Sequence, residues 1–428
     1  MAQGPLSLKR ELGVFSATMM GLGSILGTGV FVSIGIAAGI AGPAVILAIA
    51  IAALVAICNG LNSAQLAANH AVSGGTYEYG YRYLNSWFGF IAGWTFLLAK
   101  SASAATAALG FAGYLLNLLG VSSREWLVPI ALATVVTLTA IVLGGLRRSS
   151  ITNILIVSVT LIALILFILG SIPTLLDRGG DNLSPFFGAG DNPTARLLEA
   201  TALMFVAYTG YGRIATMGEE VREPRRTIPR AIIAALIVTM ILYAGVAVAG
   251  VGSVGADVLS DAAQSQAAPL ENVARAFGLP LVAEIVAIGA MTAMLGVLLN
   301  LILGLSRVLL AMGRRRDMPA ITARIEPRTT TPYVAVVVVG IIIAGLALIG
   351  NVKTTWSFSA FTVLIYYAIT NLAALRLKPE ERLYPKWIGW IGLAACVFLA
   401  FRVEQHIWLT GLGLLGVGLV WHLIAQRS

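Results

Sequence analysis

The first hydrophobic stretch of the chain contains, near its middle, the run Gly21-Leu-Gly-Ser-Ile-Leu-Gly-Thr-Gly29. Four glycines fall within nine positions, where a membrane helix would be expected to carry aliphatic residues. Glycine weakens a helix, because a backbone without a side chain loses more conformational freedom on folding. The run therefore predicts a helix that is interrupted at mid-span. The alternative is close packing, since small residues also let two membrane helices approach each other.

A second interruption follows five spans later, in Phe205-Val-Ala-Tyr-Thr-Gly-Tyr-Gly-Arg213. Glycine and polar residues again lie deep in an apolar stretch. Because five is an odd number, the first and sixth helices enter the membrane in opposite senses, as two halves related by an in-plane two-fold axis would require. Paired interruptions at matching positions of two halves indicate the binding site of a transporter.

The composition predicts an all-α polytopic membrane protein. Of the 428 residues, 58% are hydrophobic and only 11% are charged, whereas a soluble domain carries about 25% charged residues. Counting apolar runs of the length that a tilted helix needs gives about twelve transmembrane helices in one domain, residues 1–428. The predicted spans are 14–40, 43–68, 83–118, 126–146, 151–173, 194–217, 229–254, 279–312, 332–349, 356–375, 387–401 and 407–424.

The net charge of +9 arises from basic residues on alternate loops, such as those at 222–230 and 314–316. Cytoplasmic loops are enriched in Lys and Arg, so this side is predicted to be cytoplasmic. With an even number of spans, both termini are then cytoplasmic, and the protein is a multi-pass protein of the cell (cytoplasmic) membrane. Nucleic-acid binding is not expected, because the placement of the basic residues on the loops of one side explains the excess of positive charge.

Neither a cofactor nor a metal site is expected. The three histidines are scattered, whereas a metal site needs several ligands at ligand-like spacing. Cys58 and Cys396 both lie inside apolar segments, where a small buried hydrophobe is the ordinary interpretation. Since no cysteine falls on a predicted outer loop, no obligate partner subunit joined by a disulfide is expected.

An interrupted membrane helix needs a polar partner, because its unpaired N–H and C=O groups lie in a medium of low dielectric constant. An amino-acid zwitterion offers both kinds of partner. The N–H groups of Thr28 and Gly29, at the start of the second half-helix, can bind a carboxylate with help from the helix dipole. The carbonyls of Ile25, Phe205 and Val206 can bind the ammonium group.

Several motifs resemble those of the amino acid–polyamine–organocation permeases, nearest their bacterial and cationic-transporter-like branches. The motifs are Leu8-Lys-Arg-Glu-Leu-Gly13, Gly23-Ser-Ile-Leu-Gly-Thr-Gly-Val-Phe31, Ser73-Gly-Gly-Thr-Tyr-Glu-Tyr79, Gly218-Glu-Glu-Val-Arg-Glu-Pro224 and Ile228-Pro-Arg-Ala231. The resemblance implies a LeuT-type five-plus-five inverted repeat with discontinuous helices 1 and 6, and transport by alternating access. The repeats would span residues 14–173 and 194–375, followed by two additional helices in 387–424.

The resemblance also implies the residues that contact the substrate. In the first helix they would be Ile25, Gly27, Thr28 and Gly29, and in the sixth Val206, Ala207 and Thr209. Many relatives have Phe or Trp at the position of Val206, where the ring covers the substrate. Here Phe205 or Tyr208 would have to turn in to supply such a ring, and a smaller gate leaves room for a larger substrate side chain.

Lys100 is an isolated charge well inside the third predicted span. Intramembrane ionisable residues are functional candidates, and burial disfavours the charged form of an amine, so Lys100 could release and regain a proton. The alternative is that the side chain extends to the cytoplasmic interface.

The ion that drives transport is not indicated by the family pattern. Sodium-coupled relatives carry a Ser/Thr pair on the eighth helix, where Leu295 and Gly296 stand here, and some others carry a lysine on the fifth helix, at the position of Thr160. Our hypothesis is that Lys100 supplies the positive charge instead, which would make transport sodium-independent and leave protons as the possible partner.

Arg213 follows the second interruption directly, where similar proteins carry a small residue. An unpaired charge in the membrane is costly, so this side chain needs a partner or water. It could face an inner vestibule and disfavour cationic substrates, or it could pair with a carboxylate such as Glu219 or Glu220.

Three classes of function compete: a secondary carrier, an intramembrane enzyme, and a channel or receptor-like scaffold. An enzyme would need a nucleophile and a base within reach, and a channel would need a pore-lining ring, and the sequence indicates neither. The paired interruptions favour a carrier of L-amino acids that works by proton symport or exchange. Lys100 and Arg213 favour neutral substrates, with a cationic amino acid or polyamine permease as the alternative.

Overall fold

The computed structural model describes residues 12–70, 74–121, 123–145, 150–188, 191–215 and 221–425. Parts of three motifs, at 8–11, 73 and 218–220, lie outside the described residues, as do Glu219 and Glu220. In the described part of the chain every regular element is helical, apart from one isolated bridge between Leu12 and Val221.

Seventeen α-helices are present within the described residues. In chain order they are α1 Val14–Ile25, α2 Ile34–Ala41, α3 Val45–Asn69, α4 Thr76–Tyr83, α5 Ser86–Leu118, α6 Leu127–Leu143, α7 Ser150–Asn182, α8 Pro193–Tyr208, α9 Gly212–Ala215, α10 Pro224–Val254, α11 Ala256–Ser265, α12 Pro269–Ala276, α13 Pro280–Arg314, α14 Tyr333–Ala347, α15 Val352–Leu375, α16 Lys386–Ala400 and α17 Gln405–Ala425.

These helices confirm an all-α polytopic membrane protein. Eight described helical stretches are long and apolar enough to cross a membrane, and α1, α14 and α16 are shorter apolar helices. One of the eight stretches covers both α2 and α3, so the twelve predicted spans each have a helical counterpart when α8 with α9 is counted as the sixth. The short helices α4, α11 and α12 lie between spans.

The fifth span is longer than predicted. The sequence places its end at Pro173, but α7 continues through this proline to Asn182. A proline inside a membrane helix is tolerated when neighbouring groups satisfy the freed backbone. The far end of α7 is also held in place, because the Asn182 side-chain amide donates a hydrogen bond of 2.9 Å to the carbonyl of Gly252 on α10.

The first predicted interruption is present. Helix α1 ends at Ile25, and Leu26 has extended dihedral angles, φ −75° and ψ 106°. A π-helical turn, Gly29–Ser33, then leads into α2. Close packing is present as well, since a Cβ added to Gly21 would lie 2.4 Å from the Cδ1 atom of Ile214. The glycines therefore serve both the break and the approach of α9.

The second interruption is a 3₁₀ turn, Thr209–Tyr211, between α8 and α9. Both interrupted segments lie among long continuous helices: α3 packs against α8 and α10, and α5 packs against α13 and α15. The long helices α3 and α5 follow the first interruption, and α10, α13 and α15 follow the second. Together these helices surround both interruptions.

The first additional helix, α16, is fastened by a buried chain of amides. The Asn371 amide on α15 donates to the Asn59 Oδ1 atom on α3 at 2.6 Å, and its own Oδ1 accepts from Asn62 at 2.7 Å. The Cys396 thiol on α16 donates to the same Asn59 oxygen at 3.3 Å. Because buried polar groups are costly unless paired, this network fixes α16 on α3 and α15.

Candidate functional site

The two interruptions touch each other. A Cβ added to Gly210 would lie 2.3 Å from the carbonyl oxygen of Ser24 and 2.6 Å from the backbone nitrogen of Ile25. A Cβ added to Gly29 would lie 2.7 Å from the Cβ of Ala207. Only residues without a side chain allow this approach, so the glycines of one break are required by the backbone of the other.

Unpaired donors lie at the start of the second half of the first helix. Thr28 caps the turn Gly29–Ser33, and the first N–H groups of a helix have no partner within that helix. The Thr28 hydroxyl is also buried and has no hydrogen-bond partner within this part of the chain. Three donors and the positive end of a helix therefore converge where the sequence predicts the substrate carboxylate.

The carbonyls at the breaks are partly engaged by side chains. The Tyr243 hydroxyl of α10 lies 3.0 Å from the carbonyl oxygen of Ile25 and 3.1 Å from that of Ala207. The Thr209 hydroxyl donates to the carbonyl of Val206 at 2.8 Å. A carbonyl oxygen has two lone pairs, so the Ile25 oxygen can accept from another donor, such as an ammonium group, whereas the Val206 oxygen also accepts from the Thr209 N–H.

Two adjoining cavities meet at the breaks. The central cavity, about 40 Å³, is lined by Ser24, Ile25, Thr28, Gly29, Lys100, Ser103, Val206, Ala207, Thr209, Gly210, Val297, Leu301 and Trp356. The vestibule, about 420 Å³, shares six of these residues and extends to the exposed Arg307 and Arg314 near the end of α13. We call the Arg314 side inner, following the predicted topology.

Comparison with known proteins identifies the family. Residues 16–424 match the family model described as amino acid permease. The chain belongs to the amino acid permease family. The match covers both interruptions and all but the ends of the chain, so the fold class predicted from the motifs, including the discontinuous helices, is confirmed.

Curated relatives of this permease are transporters. An uncharacterised transporter of Mycobacterium tuberculosis is 41% identical over 99% of this chain and 94% of its own length. The branched-chain amino acid permease BcaP of Bacillus subtilis is 28% identical over 99% of this chain and 95% of its own length. The cationic amino acid transporter 4 of Mus musculus is 28% identical over 95% of this chain and 65% of its own length.

Lys100 lies at the junction of the two cavities of the permease. Its side chain is 9% exposed, and its Nζ atom donates a hydrogen bond of 2.8 Å to the Thr209 hydroxyl. In the described part of the chain no carboxylate forms an ion pair with it. Lys100 therefore joins α5 to the second interruption and does not extend to the interface.

Arg213 is half-buried and lines the vestibule. The predicted partners Glu219 and Glu220 lie outside the described residues, so both interpretations of Arg213 stay open. Among the described residues, the linings of the two cavities contain Lys100, Arg213, Arg307 and Arg314 and no Asp or Glu. At the inner rim burial lowers the pKa of His70, and the charges of Arg82 and Arg315 act in the same direction.

Four predicted residues line neither cavity. Gly27 faces α13, where a Cβ added to it would lie 2.7 Å from Val297. The Phe205 ring packs edge-on against Tyr367 with centroids 5.6 Å apart, and the Tyr208 hydroxyl donates to the carbonyl of Ile49 at 3.3 Å. Thr160 is buried and donates to the carbonyl of Ile156 in its own helix.

Three aromatic residues at the site were missed from the sequence: Tyr243, Tyr367 and Trp356. The Tyr367 hydroxyl donates to the carbonyl of Thr209 at 3.1 Å, and Trp356 lines the central cavity. Each places a polar atom inside a membrane helix. That signal could have singled them out, but eight Trp and twelve Tyr residues in the chain make it a weak one.

Replacing Tyr243 with Phe is expected to weaken substrate binding about tenfold. The change removes the hydroxyl that holds the Ile25 and Ala207 carbonyls of the two breaks in position, and losing such a hydrogen bond costs about 0.5–1.5 kcal/mol, up to about tenfold in binding. The measurement is the KM for uptake into proteoliposomes. Tyr333→Phe at the start of α14, where the side chain is 37% exposed, is the control. An unchanged KM in Tyr243→Phe would contradict a role of this bridge in the site.

Proposed function

We propose that this permease carries neutral L-amino acids across the cell membrane by alternating access between its two interruptions. The observation that carries the proposal is the buried, unpartnered Thr28 hydroxyl at the start of a half-helix, whose next residue, Gly29, lies directly against Ala207 at the end of α8. A zwitterion fits this arrangement, because its carboxylate meets helix N–H groups while its ammonium meets carbonyl oxygens of the same break.

The charges around the site favour neutral substrates. Lys100 is buried at the junction of the cavities and would repel a positive charge on the substrate side chain. The described linings contain no acidic residue that could offset this repulsion. The side chains Val206, Val297 and Leu301 give the central cavity an apolar wall. The similarity to a branched-chain amino acid permease supports this choice, and the similarity to a cationic amino acid transporter supports the alternative.

Sodium independence is the second part of the proposal. Helix α13 presents Val297 to the first interruption, and neither Leu295 nor Gly296 carries a hydroxyl that could coordinate sodium. Lys100 instead brings a fixed positive charge to the second interruption through Thr209. Transport then proceeds as proton symport or as exchange, with Lys100 as the group that gains and loses the proton in the symport case.

The architecture of the cycle follows from the two repeats, residues 14–173 and 194–375, with 387–424 outside them. In this proposal both termini are cytoplasmic, and no obligate partner subunit is needed. The vestibule connects the site to the inner side, which supports an inward-facing state as the one observed. The outward-facing state would exchange the roles of the two repeats around the same breaks.

The test is uptake by the purified permease in proteoliposomes. Alanine, leucine, phenylalanine, arginine, glutamate and putrescine are compared, each with sodium or choline outside and with or without an inward proton gradient. We expect saturable uptake of at least one neutral amino acid that is unaffected by sodium, together with exchange against the same amino acid inside. Saturable uptake of arginine or putrescine alone would establish the alternative, and a conductance that does not saturate would indicate a channel.

A further inference from the structure

We propose that Trp356 is the outer gate of the substrate site and sets the largest side chain that the site accepts. The residue lies on α15, outside both interruptions, and no sequence pattern pointed to it. The inference rests on the proposed function, since it concerns which amino-acid side chains can occupy the central cavity.

Trp356 lies on the outer side of the site. Helix α15 runs inward, because Tyr366 and Tyr367, which come later in it, line the vestibule. Trp356 precedes Tyr366 by ten residues, which corresponds to about 15 Å along a helix. Its side chain is only 3% exposed, yet it lines the central cavity together with Thr28 and Val206. The indole therefore closes the cavity at the end opposite to the vestibule.

The indole is bonded to the outer half of the sixth span. Its Nε1–H donates a hydrogen bond of 3.0 Å to the carbonyl of Leu203 on α8. Leu203 lies about one turn before α8 ends at Tyr208. This contact crosses from a continuous helix to a half-helix that must move when the outer side opens, so the bond would form and break with each cycle.

Hydroxyl pairs on either side of Trp356 hold α15 against α5. Thr355 accepts a hydrogen bond of 2.8 Å from Thr106, and the hydroxyls of Ser359 and Ser103 lie 2.7 Å apart. These bonds fix the backbone that carries the indole. The ring is thus presented from a stable base, while its partner α8 is the element that moves.

Val206 explains why an aromatic residue is needed on α15. The sequence predicts that Val206 leaves the site without the large ring that covers the substrate in many relatives. Neither Phe205 nor Tyr208 lines the central cavity, whereas Trp356 does. The sixth span has no large ring at Val206, and Trp356 on α15, the tenth span, supplies one. The side chains of residues 206 and 356 therefore occupy neighbouring parts of the same space.

The experiment compares wild type with Trp356→Ala, Trp356→Phe, Val206→Phe and the double variant Trp356→Ala/Val206→Phe. The measured quantity is the ratio of kcat/KM for tryptophan to that for alanine, which does not depend on the amount of folded protein. A change in the size of an apolar pocket alters the ratio of kcat/KM between a large and a small substrate by about tenfold or more. We expect the ratio to rise at least about tenfold in Trp356→Ala, to fall by a similar factor in Val206→Phe, and to return toward wild type in the double variant.

Trp94→Phe is the matched control. The Trp94 indole on α5 also donates to a backbone carbonyl, that of Leu414 at 2.9 Å, but it lines neither cavity. An unchanged ratio in both Trp356→Ala and Val206→Phe would overturn the gate, as would an equal change in Trp94→Phe. Because these outcomes require a wild type that transports neutral amino acids, a wild type without such uptake would instead overturn the proposed function.

Discussion

Replacing Gly210 with Ala is expected to lower uptake about a hundredfold. The added Cβ would lie 2.3 Å from the carbonyl oxygen of Ser24 and 2.4 Å from its carbonyl carbon, and these are backbone atoms that cannot turn aside. Overpacking usually costs about 1–3 kcal/mol. Since about 1.4 kcal/mol is tenfold in an equilibrium, the upper end of this range corresponds to about a hundredfold. Initial uptake rates in proteoliposomes, normalised to monodisperse protein, give the effect.

Gly345→Ala on α14 provides the control for Gly210→Ala. A Cβ at Gly345 would meet nothing within 4 Å, and Ala is the better helix former, so uptake should stay at the wild-type rate. Gly29→Ala should resemble Gly210→Ala, because its Cβ would lie 2.7 Å from Ala207 across the same contact. Normal uptake by folded Gly210→Ala would show that the two interruptions need not touch for transport.

Replacing Lys100 with Met is expected to lower uptake at least tenfold and to abolish its dependence on pH. Met keeps the length and apolar stem of the side chain but removes the charge and the hydrogen bond to Thr209. A hydrogen bond to a charged group contributes about 1.5–3 kcal/mol, which corresponds to at least about tenfold. Uptake and exchange are measured between pH 5 and 9, a range of about four units that covers both the acid and the alkaline side of neutral pH.

Lys386→Met at the exposed start of α16 is the control for Lys100→Met, since it removes the same charge from the surface. The coupling hypothesis predicts that Lys100→Met still exchanges substrate but no longer responds to a proton gradient. If Lys100→Met matched the wild type in uptake, exchange and pH dependence, Lys100 would have no part in coupling.

The interruptions could be predicted because the residues that cause each of them are close together in the sequence. Glycines and polar groups lie together inside two apolar runs, and the odd separation of the two runs gives their opposite sense. The same local logic predicts the donors of Thr28 and Gly29, and in the structure the second half of the first helix begins at these residues. Backbone chemistry at a helix start depends little on tertiary contacts, so the sequence alone could indicate it.

Tertiary contacts decided what the sequence could not indicate. Tyr243 and Trp356 reach the site from α10 and α15, and their place depends on which helices pack together. The end of α7 was set too early at Pro173, because a bond from Asn182 to α10 stabilises the last turns. Lys100 was singled out by its isolation, but its partner Thr209 is 109 positions away in the chain.

The observed state gives each side of the site a distinct role. With the sides named by the predicted topology, Lys100, Arg213, Arg307 and Arg314 line the inner vestibule, while Trp356 is the proposed gate on the outer side. In the proposed cycle a substrate released inward passes Lys100 at the junction of the two cavities and then the vestibule.

The central claim is that the two interruptions recognise both charges of an amino acid. The most direct measurement is competition, on the purified permease, between the neutral amino acid of greatest uptake and its own methyl ester and N-acetyl derivatives. The account predicts that the free amino acid competes while both blocked forms bind at least about a hundredfold more weakly, because each leaves one set of buried groups unpaired. Equal competition by the ester and the N-acetyl form would contradict the assignment of the site to Thr28, Gly29 and the carbonyls of the breaks.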